Sequence, residues 1–174
     1  MKVQRWVERR FRFDVPVESF PEVLERVRGT AARIEEKVRQ LPRDLLTRRD
    51  GQNWSVQEHI GHLLDLDALH LGRLDDYLAG AETLRPADIT NRATTEANYN
   101  QRDITVVLSD FRNARRHFVE RVEAWDPARL EQSAIHPRLK QEMRLLDMVY
   151  FVAEHDDHHL ATMSELARKF SASG

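Results

Sequence analysis

Residues Leu145 to Phe170 read LLDMVYFVAEHDDHHLATMSELARKF, and the spacing of their apolar positions decides the fold. Wound as a helix, the stretch places Met148, Phe151, Val152, Met163, Leu166 and Phe170 on one face. His155 and His159 fall inside that apolar stripe, one turn apart. A neutral imidazole buried among apolar side chains still needs polar partners, and its charged form is costlier to bury. The i, i+4 spacing aims both rings at a common point, as when a helix supplies two ligands to one metal ion. Asp156 points about a quarter-turn away from the pair, and His158 lies on the edge of the stripe.

Outward from this helix, three earlier segments carry the same period. The first begins at Ser19, where Ser19 and Glu22 form a capping box and Pro21 is tolerated in the first turn. Its stripe is Phe20, Val23, Leu24, Val27, Ala31, Ile34, Val38 and Leu41, and Pro42 ends it. Ser55-Val56-Gln57-Glu58 is a second capping box, opening a helix that runs to about Gly80 and is apolar over a wide arc. The third starts near Asp103 as N-cap and continues through Phe111, Phe118 and Val122 to Trp125.

Between these helices the chain is less regular. Residues 80–102 hold Pro86 and a short helical turn around Thr94 to Tyr99, and Asp126-Pro127 marks a stop and restart to Leu130. Residues 1–18 read as an irregular segment that drapes Phe11 and Phe13 over the rest. With four long amphipathic helices and no convincing strand pair, the sequence predicts an all-α, four-helix bundle forming one domain over residues 1–174. The connection between the second and third helices is long enough for a crossover.

Composition narrows the function. A net charge of −2, with acidic residues interspersed among the arginines, gives no reason to expect nucleic acid as a partner. No apolar run approaches a membrane span and the N-terminus lacks the apolar segment of a signal peptide, so the expected location is cytoplasmic. The absence of cysteine excludes thiolate ligands and a cysteine nucleophile.

The eight histidines are unevenly placed. His59 and His62 share the second helix, while His155, His158 and His159 share the last. Periodicity cannot choose between His59 and His62 as the residue that faces the pair across the bundle. The metalloprotease signature His-Glu-x-x-His, with its built-in general base, is absent.

The run Trp54-Ser55-Val56-Gln57-Glu58-His59-Ile60-Gly61-His62-Leu63-Leu64-Asp65 resembles the first signature of the DinB/YfiT superfamily. There a Trp and a capping Ser/Thr open the second helix and a metal-binding His follows eight residues after the Trp. His155-Asp156-Asp157-His158-His159-Leu160 resembles its second signature, H-x-x-x-H, and His136-Pro137 resembles the YfiT branch. The resemblance implies His62, His155 and His159 as ligands, up-down-down-up helix order and a homodimer, with the roles of His59, His136 and His158 left open.

Three neutral nitrogen ligands leave a coordination position for water or substrate, and suit a divalent metal such as Zn or Ni. A water or a thiol held there would make the protein either a hydrolase or a thiol S-transferase. The resemblance favours the transferase, joining a low-molecular-weight thiol such as bacillithiol or mycothiol to an electrophile, with a non-enzymatic metal-binding stress-response protein as the other alternative. Glu58, Asp65, Asp157 and Glu154 are the candidate carboxylates for orienting a ligand imidazole.

Overall fold

The last helix forms where its apolar pattern begins, and the first and second bundle segments pack directly against it. The computed structural model describes residues 2–172. Its helices are α1 (Phe20–Arg28), α2 (Thr30–Arg39), α3 (Arg43–Leu46), α4 (Val56–Leu78), α5 (Arg92–Glu96), α6 (Ile104–Glu123) and α7 (Leu145–Ser171). The bundle consists of α1 with α2, then α4, α6 and α7. No helix among the described residues is long and apolar enough to cross a membrane.

The N-terminal caps divide into two kinds. Ser55 receives the Glu58 amide at 3.1 Å, while the Glu58 carboxylate receives the Ser55 amide at 2.9 Å, the expected capping box. Asp103 likewise caps α6, accepting from the Thr105 amide at 2.7 Å. Ser19 makes no such bond. The 3-10 turn Val17–Ser19 runs directly into α1, which removes the extended backbone a capping serine needs.

The first bundle helix is also not continuous. It breaks at Gly29, where side chains take the acceptor that the next helical turn would use. Arg33 Nη2 donates to the Arg26 carbonyl at 2.8 Å, and Thr30 Oγ1 lies 3.2 Å from the same oxygen. The break places the Thr30 hydroxyl 2.7 Å from Asp156 of α7.

The expectation of no strand pair is corrected by a small antiparallel hairpin, β1 (Ser133–Ile135) with β2 (Glu142–Arg144). Three residues per strand are too few to display an alternating pattern in sequence. The hairpin pins the long α4–α6 connection, since Ile135 donates to the Glu82 carbonyl at 2.8 Å and Leu84 donates back at 3.0 Å. That connection must be long. Arg115 and Arg121 of α6 meet Asp67 and Asp75 of α4 in the same chain sense, and parallel neighbours require a return crossover.

Two apolar clusters fill the bundle. One gathers Val27, Leu74, Phe118, Met148 and Val152; the other Ile34, Ile60, Phe111, Met163 and Leu166. Between them lies a buried polar layer. Arg115, only 2% exposed, donates to Asp67 at 3.0 Å and to Asp156, whose own second partner is Thr30. Two carboxylates thus share one guanidinium in the middle of the core, at the level of the histidines.

Candidate metal centre

Helix α7 supplies two members of the centre and α4 the third. His62, His155 and His159 are all buried, and each offers a ring nitrogen such that the three lie within 4.8 Å of one another. Nε2 of His155 and Nε2 of His159 are 3.1 Å apart. Tetrahedral bonds of about 2.0–2.1 Å separate neighbouring ligand nitrogens by about 3.3 Å, so the donor set fits a small dication. No sulfur and no carboxylate belongs to it.

The proton on His62 follows from its neighbours. The Thr94 hydroxyl donates to Asp65 Oδ2 at 2.7 Å, because an ionised carboxylate only accepts. Thr94 Oγ1 therefore accepts from His62 Nδ1, 3.2 Å away, and the lone pair of His62 stays on Nε2. Tyr99 anchors the other Asp65 oxygen at 2.6 Å. A chain of three side chains fixes one tautomer.

His159 is held differently. Its Nδ1 faces Nδ1 of His59 at 2.7 Å, leaving Nε2 to point towards His155. His59 is thus placed behind a member of the triad, with its own ring edge-on to Trp54. Trp54 also packs on His62 with ring centroids 4.7 Å apart, and Trp6 packs on His155 at the same separation. The two indoles, one from the N-terminal segment and one from just before α4, both pack on the centre.

Burial is the largest influence on the titration of all three imidazoles. It lowers His62 to about 4 and drives His155 and His159 well below the ordinary histidine value, with the neighbouring rings adding to the effect for the last two. Neutral rings with exposed lone pairs are what metal coordination needs.

Of the carboxylates singled out in sequence, Asp65 alone reaches a triad member, and it does so through Thr94. Glu58 is engaged by Arg49 and the Ser55 amide, Glu154 by Arg9 and Arg26, and Asp157 by Arg26 and Arg33. His158 lies beside Trp6 at the rim, and His136 accepts from the Leu139 amide at 3.2 Å and packs on Phe151. Thr94 and Tyr99 come from the irregular connection, where no periodicity points to them. Asp67 and Arg115 did leave a signal: opposite charges on two apolar helix faces.

Gly61 makes the Tyr99 anchor possible. A β-carbon there would fall 2.1 Å from the Tyr99 ring. Gly61→Ala is expected to cost about 1–3 kcal/mol by overpacking, visible as a lowered Tm, and to release Asp65 from Tyr99. A change within about 0.5 kcal/mol would show that the ring is not held there.

A family model for the DinB superfamily matches residues 24–163. The chain belongs to the DinB superfamily. Its structure also superposes on YfiT from Bacillus subtilis with a TM-score of 0.79, at 20% sequence identity over 94% of each chain. That protein is described as a probable metal-dependent hydrolase with an unusual four-helix bundle topology. At this identity the likeness carries the fold alone. Among curated protein sequences none matches this chain.

Proposed function

We propose that this DinB-superfamily protein binds one divalent metal, Zn or Ni, through His62, His155 and His159, and uses it to transfer a small thiol to an electrophile. A bound dication would supply Lewis acidity, lowering the pKa of a coordinated thiol or water. The observation that carries the reading is the engagement of the surrounding acids. Asp65, Glu58, Glu154 and Asp157 are all bonded to hydroxyls, amides or guanidinium groups, as described above, and none is left as a general base.

Such a site suits a nucleophile that the ion alone can ionise. A thiol, with an ordinary pKa near 8.5, needs far less help at neutral pH than water at about 15.7. The protein's own residues then have three tasks. The triad presents three nitrogens on one side, Thr94 and His59 fix two of the rings, and Trp54 and Trp6 exclude water around them.

The test is conjugation of monochlorobimane by zinc- or nickel-loaded protein with bacillithiol, mycothiol or glutathione in turn. Turnover above that of His159→Ala with at least one thiol is expected. Cobalt-loaded protein should also gain a sulfur-to-metal absorption band on adding that thiol. Hydrolysis is the second reading, favoured by the description of YfiT. Metal-dependent cleavage of an ester or amide without added thiol, and no conjugation with any thiol, would decide for it.

A further inference from the structure

Arg73 of α4 is 2% exposed, yet among the described residues no carboxylate lies within ion-pair distance of it. Its one hydrogen bond runs from Nε to the Arg85 carbonyl at 3.2 Å. Asp76, the acid in its electrostatic surroundings, is taken by Arg85, whose Nη2 lies 2.7 Å from Oδ1 and whose amide lies 2.8 Å from Oδ2. Arg115, the other buried arginine, has two carboxylates. A buried guanidinium without a counter-ion is expensive, and calls for an anion from elsewhere.

A buried nitrogen without a partner stands near it. His70 is buried and its Nδ1 has no hydrogen-bond partner. The charge on Arg73 is felt by both His70 and His136. Burial lowers Arg73 itself to about 10, which leaves it charged at neutral pH.

The helix register connects this pair to the metal centre. Eleven residues separate His62 from Arg73, so the two point within about 20° of each other and their Cα atoms lie about 16 Å apart along the axis. Leu66 and Leu69 occupy the same side of α4 between them. Both are only half-buried, and neither packs into either apolar cluster of the core.

We propose that this side of α4 seats one elongated ligand, with its reacting end at the histidine triad, its apolar middle on Leu66 and Leu69, and a carboxylate on Arg73. The substrate class is therefore a small acid whose carboxylate lies roughly 10–16 Å from the group held by the metal, allowing for the reach of the arginine towards His62. The forked guanidinium matches a carboxylate in two parallel bonds, and one cation among neutral imidazoles balances one negative charge. The full span rests on the metal-binding reading; the anion seat does not.

The test uses hydroxamic acids that carry a terminal carboxylate on methylene chains of graded length, together with their methyl esters. Calorimetry on zinc-loaded protein is expected to give the acid of matching length about tenfold tighter binding than its ester. That advantage should vanish for the shortest chain and in Arg73→Gln. Equal binding of acid and ester to the wild type overturns the proposal without any variant. Tighter binding of the corresponding phosphonate would overturn the carboxylate class. For metal-free protein, a simple alkyl carboxylate such as nonanoate should raise the Tm of the wild type and not of Arg73→Gln. If the metal reading alone fails, that shift persists while the hydroxamates lose their hold; if the anion seat alone fails, the hydroxamates bind with no regard to their carboxylate.

Discussion

Replacing Arg115 by Met is expected to destabilise the protein by about 3–5 kcal/mol, because it strands two buried carboxylates with no cation between them. Asp67 and Asp156 are almost wholly buried, and both accept from Arg115. Their desolvation is already part of the folded state; the guanidinium is what makes it tolerable. Domains of this kind have only about 5–15 kcal/mol in total, so the loss should lower Tm by about 6–20 °C. Thermal or urea unfolding monitored by circular dichroism measures it.

The variant does not isolate the arginine's own contribution, since the damage comes from the acids left behind. Adding Asp67→Asn and Asp156→Asn to Arg115→Met should recover most of the loss, and the shortfall from additivity measures the coupling. A loss below about 1 kcal/mol for Arg115→Met alone would mean that the carboxylates find water or each other's proton instead. Asp67 provides a pH test of the same network. Burial pushes its carboxyl up to about 6 against the pull of Arg115, from 3.8 when unfolded. A raised acid binds its proton more tightly when folded, so its stabilising contribution grows as pH falls from about 6 to about 4. The difference between wild type and Asp67→Asn should therefore move in favour of the wild type across that window, with a flat difference counting against a raised carboxyl at Asp67.

How much of this could be read from sequence depended on whether a feature was periodic. The α7 stripe, the Ser55–Glu58 box and the Asp103 cap each repeat a local rule, and each appears where the rule places it. The Gly29 break was not legible, because Arg33 and Thr30 compete for a carbonyl only once the helix is built. Nor was the hairpin, whose three-residue strands are too short to show alternation. At the centre, the i, i+4 pair on α7 was visible as two polar rings in an apolar face. The choice of His62 over His59 was not, since both lie on the buried side of α4. What separates them is Thr94, which holds the proton of one, and His159, against which the other leans. Both contacts join parts of the chain that no local pattern relates.

That division of labour between His62 and His59 has a measurable consequence at His159. His159→Ala removes one of three nitrogens, and the expected result is loss of stoichiometric metal from the purified protein, with affinity reduced well beyond about 100-fold, the upper range for outer-shell substitutions. His59→Ala removes no nitrogen from the triad, only the partner at Nδ1 of His159, and should cost about 10–100-fold. Elemental analysis and competition with a chromogenic chelator measure both. Stability supplies an independent readout, because a ligand bound only by the folded state adds about 4 kcal/mol at a thousand times its Kd. Wild-type Tm should rise on adding zinc, that rise should be absent in His159→Ala, and the metal-free proteins should differ far less. Should His159→Ala retain metal at wild-type affinity, the three rings would be a buried polar cluster and the catalytic reading would fall with them. Should His59→Ala match His159→Ala instead, His59 would have to be counted as a ligand.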